Sequence, residues 1–154
     1  MNRFDSDRVE LRTDTKPWDL VSAGLERRQS VLVVDDNRDC ADSLSILLRL
    51  AGHEVATAYD GEVGLAMAQQ IQPDIVLLDI GLPNLDGYEV ARRLRQDFGM
   101  FATLVVATTG YGTDEDRQRS QQAGFNAHFV KPVDLDELRQ LISGFASECR
   151  VVRA

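Results

Sequence analysis

Short, nearly continuous apolar runs alternate with longer amphipathic stretches from residue 31 onward, and this alternation constrains the fold more than any other feature. The runs VLVV at 31–34 and IVLL at 75–78 contain no polar residue. Such runs are typical of parallel strands that are covered on both faces, and parallel strands need connections long enough to hold a helix. The chain is therefore predicted to be an α/β domain with a parallel sheet between two layers of helices.

Five strands are expected, and each is followed by a helix. The strand segments are 31–34, 53–59, 74–79, 102–108 and 127–130. Apolar residues at spacings of three and four predict the first, second, third and fifth helices, and the stretch 113–123 between the last two strands is expected to be the fourth helix. The buried stripe predicted for the first helix consists of Cys40, Leu44, Leu47, Leu48 and Ala51, and that of the second consists of Val63, Gly64, Met67 and Ile71.

The first 29 residues stand outside this pattern. They are expected to form an N-terminal extension, 1–29, that is partly disordered or holds one short helix beginning at Pro17. The apolar face of that helix would contain Trp18, Val21 and Leu25. The repeating strand–helix domain is assigned to residues 30–146, and residues 147–154 are expected to form a C-terminal tail.

The charge distribution excludes some classes of function. The formal net charge is −8, and residues 31–146 hold nine basic and eighteen acidic side chains, which argues against direct nucleic-acid binding through the whole surface. Cys40 and Cys149 lack metal-ligand spacing and favour reduced thiols in a cytoplasm. We expect a cytoplasmic protein because the N-terminus does not have the pattern of a signal peptide and no run is long enough to span a membrane.

Polar side chains follow four of the five predicted strands. Asp35 and Asp36 follow the first strand, Asp79 ends the third, Thr109 follows the fourth and Lys131 follows the fifth. Because right-handed crossovers place the carboxyl ends of parallel strands at one edge of the sheet, these groups are expected to converge there.

Three converging carboxylates need a cation, and oxygen ligands favour Mg²⁺ or Ca²⁺. The alternative for the first pair is a solvated turn in which Asp36 or Asn37 caps the next helix. A carboxylate at such a metal site, here Asp79, can also act as a nucleophile toward phosphorus. Lys131 supports that role, because the chain contains only two lysines and an ammonium pairs with both carboxylate and phosphoryl oxygens.

The segments VLVVDDN, DIVLLDIGLPNLDGYEVARRLR, VVATTGYG and HFVKPVD resemble the receiver domain of bacterial two-component response regulators. The resemblance spans about residues 30–146. The spacings match as well: Asp79 lies 43 residues after Asp36, 30 before Thr109 and 52 before Lys131. The resemblance implies a flavodoxin-like, doubly wound (βα)5 fold with strand order 2-1-3-4-5, and a signalling domain rather than an enzyme.

The resemblance also implies a chemistry for this edge of the sheet. Asp35 and Asp36 would hold Mg²⁺ together with Asp79, and the carbonyl of Gly81 would complete the metal shell. Asp79 would accept a phosphoryl group from a phosphohistidine of a histidine kinase or a histidine phosphotransfer protein, giving a 4-aspartylphosphate. The first helix, which lies beside Asp35 and Asp36, is expected to dock that partner.

The resemblance further implies a switch. Thr109 is the switch hydroxyl, Lys131 contacts the phosphoryl group, and the Lys131–Pro132 peptide bond is expected to be cis. The position of the switch aromatic falls on His128, while Phe129 is expected to point to the other face. The predicted helix at 113–123 has almost no apolar stripe, so the signal is expected to leave through residues 109–132.

The output of the chain follows from what comes after the last helix. Only ASECRVVRA remains, which is too short for a DNA-binding fold. The prediction is a stand-alone response regulator or a phosphorelay carrier with an unknown downstream protein target. The alternative is the receiver portion of a hybrid histidine kinase, in which residues 1–29 would be a linker.

Other functions fit the residues less well. A phosphatase of the haloacid dehalogenase type needs a general acid two residues after the nucleophile, and that position is Gly81. A flavodoxin-like electron carrier needs a phosphate-binding first loop, whereas DDNRD repels phosphate unless a metal intervenes. A phosphate-independent pseudo-receiver is disfavoured because every acidic position is filled.

Overall fold

The computed structural model of the protein describes residues 28–153, with side chains described for residues 28–145. The helix that was predicted from Pro17 lies outside the described residues. Within the described part, no helix is both long and apolar enough to cross a membrane.

Five parallel strands form one sheet in the order β2-β1-β3-β4-β5, as the resemblance implied. The strands are β1 (Ser30–Val34), β2 (Glu54–Ala58), β3 (Ile75–Asp79), β4 (Leu104–Thr109) and β5 (Ala127–Val130). The helices are α1 (Arg38–Leu50), α2 (Gly61–Ile71), α3 (Gly87–Gln96), α4 (Asp114–Ala123) and α5 (Leu135–Arg153). The predicted alternation of five strands and five helices is confirmed.

Polar side chains define where four of the helices begin. Asn37, Asp60, Asp86 and Thr113 each accept a hydrogen bond from the backbone N–H three residues later. Such caps satisfy N–H groups that have no partner inside the helix. Because Asn37 caps α1, the neighbouring carboxylate of Asp36 is not needed for that purpose.

Alternate residues of the strands face two separate cores. Leu32, Val34, Val76 and Leu78 pack with α2, α3 and the end of α4 on one face. Val31, Val33, Ile75 and Leu77 pack with α1 and α5 on the other face. The central strands are thus covered on both sides, which explains their uninterrupted apolar sequence.

The predicted stripes of α1 and α2 were partly wrong. In α1 the buried residues are Ala41, Ser45 and Leu48, whereas Cys40 is exposed. Ser45 can be buried because its hydroxyl donates a hydrogen bond to the Ala41 carbonyl at 2.7 Å. The stripe of α1 is therefore rotated by about one position from the predicted one.

Helix α2 is rotated toward its small residues. Gly64 packs so closely on β1 that an added Cβ would lie 3.0 Å from the methyl groups of Val34. The other buried residues are Gly61, Leu65 and Ala68, while Val63 is 45% exposed and Ile71 is 41% exposed.

The last helix continues to Arg153, beyond residue 146, where the domain was expected to end. Residues 147–153, which were expected to be a tail, are therefore helical. The assignment of residues 1–29, 30–146 and 147–154 to an extension, a domain and a tail stays a prediction.

Candidate functional site

Three carboxylates meet at the carboxyl-terminal edge of the sheet. Asp35 directly follows β1, Asp36 comes next, and Asp79 is the last residue of the neighbouring strand β3. One oxygen atom from each lies within 4.8 Å of the others. Asp35 and Asp79 are buried and Asp36 is exposed, so the cluster opens to solvent on one side. The sequence prediction that these residues converge is confirmed.

Backbone N–H groups hold one oxygen of each buried carboxylate. Asn37 donates to Oδ1 of Asp35 at 2.9 Å, and Gly81 donates to Oδ1 of Asp79 at 3.1 Å. These contacts fix the orientation of both side chains. The second oxygen of each carboxylate is turned toward the centre of the site.

Lys131 bridges those second oxygens from the end of β5. Its Nζ donates to Oδ2 of Asp35 at 2.8 Å and lies 3.4 Å from Oδ2 of Asp79. The sequence indicated a pair with Asp79, whereas the closer partner in the structure is Asp35. The Lys131–Pro132 peptide bond is cis, as the resemblance implied.

The electrostatics of the site favour an added cation. Burial raises the pKa of Asp79, and the Asp35 charge raises it further, which the Gly81 N–H and Lys131 offset only in part. Burial alone would lower the pKa of Lys131, but the hydrogen bond to Asp35 and the charges of Asp79 and Asp35 outweigh it and raise that pKa. Three carboxylates and one ammonium fit a hard divalent cation with oxygen ligands.

Two glycines shape the loop behind Asp79. Gly81 is exposed and donates its N–H to Asp79, as described above; whether its carbonyl binds a metal stays a prediction. At Gly87, the first residue of α3, an added Cβ would lie 2.5 Å from the carbonyl oxygen of Asp79 and 2.6 Å from Cα of Ile80. The N–H of Gly87 donates to the Ile80 carbonyl at 3.0 Å. Helix α3 therefore begins directly against the backbone of Asp79.

Thr109 is buried at the end of β4, one residue beyond Thr108, which pairs with Asp79 in the sheet. Its Oγ1 accepts a hydrogen bond from the N–H of Tyr111 at 3.2 Å. The hydroxyl is thus engaged with the loop that leads to α4.

His128 lies on the α4 face of β5. Its Nδ1 is 2.9 Å from Oγ of Ser120 in α4, and its Nε2 is 3.3 Å from the carbonyl oxygen of Tyr111. Phe129 packs in the core on the opposite face, as predicted. The sequence did not reveal Ser120 as a partner, although it is a small, uncharged side chain in a helix of long polar ones.

An apolar pocket of about 250 Å³ adjoins the carboxylates. It lies between α1 and the segment that joins β5 to α5, and Asp35 and Lys131 form its inner wall. Its apolar lining consists of Leu44, Leu47, Pro132, Val133 and Leu135. The predicted docking helix therefore presents apolar surface next to the charged site.

The family model that is described as the response regulator receiver domain matches residues 31–143. The chain belongs to this family. As a receiver domain it is a signalling domain of two-component systems, which confirms the resemblance seen in the sequence. The assignment of individual roles to Asp79, Thr109, Lys131 and His128 is not part of that match.

Curated relatives contain this receiver domain in proteins of different length. The chain is 37% identical over 108 residues to the DNA-binding dual master transcriptional regulator RpaA of Synechocystis, a match that covers 70% of this chain and 45% of RpaA. It is 34% identical to protein PilH of Pseudomonas aeruginosa, covering 73% of this chain and 93% of PilH. It is 38% identical to the sensor histidine kinase RcsC of Salmonella typhi, covering 80% of this chain but 13% of RcsC.

A solved structure shows the same fold. The chemotaxis protein CheY4 of Vibrio cholerae is 30% identical, with a TM-score of 0.70, and the match covers 75% of this chain and 97% of CheY4.

Proposed function

We propose that this receiver domain accepts a phosphoryl group on Asp79 in a Mg²⁺-dependent reaction. The observation that carries the proposal is the ion pair of Asp79 with Lys131 at an open edge of the sheet, where oxygens of Asp35 and Asp36 lie within 4.8 Å of an oxygen of Asp79. Asp35, Asp36 and Asp79, with the carbonyl of Gly81, are the groups that would hold the ion. When bound, Mg²⁺ supplies positive charge that offsets the phosphoryl oxygens.

In the proposed reaction, a carboxylate oxygen of Asp79 attacks the phosphorus of a phosphohistidine. The new P–O bond forms as the P–N bond breaks, and the imidazole leaves with a proton taken from solvent. Lys131 then pairs with a phosphoryl oxygen, because its Nζ already lies 3.4 Å from the acceptor carboxylate. The N–H of Gly81 holds the other carboxylate oxygen in place.

A small-molecule phosphodonor tests this role directly. With Mg²⁺, intact mass spectrometry should show one added phosphoryl group, and the label should be absent after chelation and in Asp79→Asn. Asp86→Asn, which changes an exposed carboxylate at the start of α3, serves as the matched control and should label normally. Full labelling of Asp79→Asn would show that the nucleophile is another residue.

A chain of hydrogen bonds supports the 109–132 face as the output surface. The Tyr111 N–H donates to Thr109, the Tyr111 carbonyl contacts His128, and His128 contacts Ser120 of α4. If the Thr109 hydroxyl turns toward a phosphoryl oxygen, the Tyr111 N–H loses its partner. The loop that binds His128 can then shift, and α4 with it.

The partner that delivers the phosphoryl group is proposed to be a histidine kinase or a histidine phosphotransfer protein. Helix α1 offers exposed Ile46, Leu47 and Leu50, and the apolar pocket beside Asp35 extends this surface toward the acceptor. A downstream protein target is proposed for the 109–132 face, with the protein working in the cytoplasm. Neither direct nucleic-acid binding nor membrane binding is proposed for this domain.

For the complete protein, the first proposal is a stand-alone regulator or phosphorelay carrier, and the match to 93% of PilH supports it. The match to RcsC supports the alternative, a receiver portion of a hybrid histidine kinase. An antibody against this domain distinguishes the two in extracts of the source cells. A band near 17.2 kDa supports the stand-alone protein, and a much larger band supports the hybrid kinase.

A further inference from the structure

A groove of about 450 Å³ lies at the edge of the sheet opposite Asp79. Its walls are the loop before β4, the residue before β5 and the middle of α5. Of the nine described residues that line it, six are apolar and none is charged. The apolar residues are Phe101, Ala102, Leu104, Leu141, Gly144 and Phe145.

Phe101 forms an exposed wall of this groove on a firmly held loop. Its side chain is 72% exposed. The guanidinium of buried Arg95 donates to the carbonyl oxygens of Met100 and Thr103, on either side of Phe101. The loop thus holds an aromatic ring in an exposed position beside other apolar side chains. Such an arrangement is typical of a surface that another segment covers.

The sequence contains an apolar segment shortly before the first described residue. Residues 17–25 read PWDLVSAGL, with five aliphatic or aromatic side chains and only one charge. Charged residues flank the segment on both sides, Asp14 and Lys16 before it and Glu26, Arg27 and Arg28 after it. The segment is therefore the apolar part of an otherwise highly charged extension, and it is complementary to an uncharged groove.

The distance from the described chain to the groove is short. The N–H of Ser30 donates to Oδ2 of Asp74, and the Asp74 carbonyl accepts from the N–H of Leu104 in the groove wall. Strands β1 and β4 are separated by only one strand, or about 10 Å at ~4.8 Å per strand. The five residue steps from Ser30 to Leu25 span up to about 17 Å when extended, so Leu25 can reach the groove.

We propose that residues 17–25 fold back onto the domain and bind in this groove, with Trp18 covering Phe101. The occupant is a segment of the same chain rather than a second copy, because a short tether keeps it at high local concentration. The groove lies at the edge opposite the carboxylates, so the inference does not depend on the proposed phosphoacceptor role.

Trp18 is the only tryptophan in the chain and reports on its own surroundings. In the full folded chain, we expect blue-shifted emission and weak quenching by acrylamide, both unchanged on tenfold dilution. Phe101→Asp should shift the emission to the red and increase quenching several-fold. Val63→Asp, which places the same charge at an exposed apolar position on α2, should leave both measurements unchanged.

A second variant distinguishes loss of docking from loss of the fold. Leu25→Asp changes only the extension and should produce the same red shift, while amide exchange increases in residues 101–104 and 140–145. Water-exposed emission in the unaltered chain would overturn the proposal, as would a blue shift that Phe101→Asp and Leu25→Asp both leave intact. A blue shift that disappears on dilution would also overturn it, because it would identify a second copy as the occupant.

Discussion

Helices α3 and α4 are each ten residues long and begin with a capped first turn, yet they are attached to the sheet in different ways. Helix α3 buries Val90, Ala91, Leu94 and the side chain of Arg95. Helix α4 buries only Ser120. Because burial of apolar surface is the main source of stability, α3 is held as part of the core and α4 by a few polar contacts.

The two helices therefore have different roles: α3 positions the acceptor, and α4 can move. Helix α3 begins against the backbone of Asp79 and keeps the acceptor in place. Helix α4 is joined to the site through Tyr111, His128 and Ser120, so a change of hydrogen bonds at Thr109 can move it at low free-energy cost. A rearrangement with about 1–3 kcal/mol of coupling would be sufficient for a signal.

The largest effect is expected at Arg95, on the α3 side of the comparison. Its guanidinium donates to the carbonyls of Met100, Thr103 and Gly124 and to Oδ1 of Asn126. Arg95→Met removes the guanidinium donor from the three carbonyls, while Oδ1 of Asn126 keeps the N–H of Val105, and it should lower the free energy of unfolding by about 3 kcal/mol or more. Urea denaturation measures this change.

Arg92→Met is the matched control, because Arg92 is a surface residue of the same helix that pairs with Glu89. Arg92→Met should lower the free energy of unfolding by about 1 kcal/mol or less. Equal effects of the two variants would show that α3 is not fixed through Arg95.

The next effect concerns the signal rather than stability. Lys131→Ala leaves no core cavity, so the fold should persist, but the contact between a phosphoryl group and β5 is lost. With the phosphodonor and Mg²⁺, the unaltered chain should change its amide exchange in residues 109–132 and barely in α1. In Lys131→Ala the phosphorylated protein should lack this change in α4. A normal response of α4 in the variant would contradict a switching role for Lys131.

A smaller and local effect is expected at Ser120. Ser120→Ala removes the contacts of its hydroxyl with His128 and with the Asp116 carbonyl. The substitution should lower the stability of α4 against local unfolding by about 1 kcal/mol. This change should appear as faster amide exchange in α4 while α3 is unchanged. The exposed Ser43→Ala in α1 is the control, and a uniform increase across both helices would contradict the separate attachment of α4.

The smallest effect is a pH dependence of the stability of the whole domain, away from both helices. Burial lowers the pKa of His53, and the charges of Arg139 and Arg28 lower it further, while its Nδ1 accepts the N–H of Gln29 at 3.1 Å. Protonation is therefore more favourable in the unfolded chain. The stabilisation should be complete above the unfolded-state pKa of ~6.5 and should be lost as the pH falls from there through the folded-state pKa.

Unfolding curves between pH 5 and 7 for the unaltered chain and for His53→Gln measure this contribution, since the variant lacks the titrating group. The free energy of unfolding should change less steeply with pH in His53→Gln than in the unaltered chain. Identical slopes for the two proteins would remove His53 as its source.

The sequence predicted the sheet and the site well because both depend on local patterns. Short and mostly apolar runs predicted the five strands, and the residues at the ends of these runs predicted the positions of Asp35, Asp79 and Lys131. Gly64 was predicted correctly, but the rest of the buried faces of α1 and α2 was harder to predict, since Ser45 is buried through a bond to its own helix and Gly61 through its lack of a side chain. Neither position carries a hydrophobicity signal.

Long-range polar contacts were not predictable from local patterns. Arg95 reaches acceptors 29 and 31 residues away, and no spacing rule connects an arginine in one helix with the loop after another. The contact of Ser120 with His128 depends in the same way on how α4 lies against β5. Such contacts appear only once the packing of the elements is known.

The bare α-carbon of Gly87 has a consequence for sequence variation. Because α3 begins against the carbonyl of Asp79, the seven residues from Ile80 to Asp86 must close a loop of fixed span. Exposed Pro83 can be replaced by other residues. An insertion or a deletion, however, would move α3 away from Asp79 or displace Asp79 itself. Among related sequences, the loop from Ile80 to Asp86 should therefore vary in composition but keep its length. Every single-nucleotide missense change at the Gly87 codon should be disfavoured.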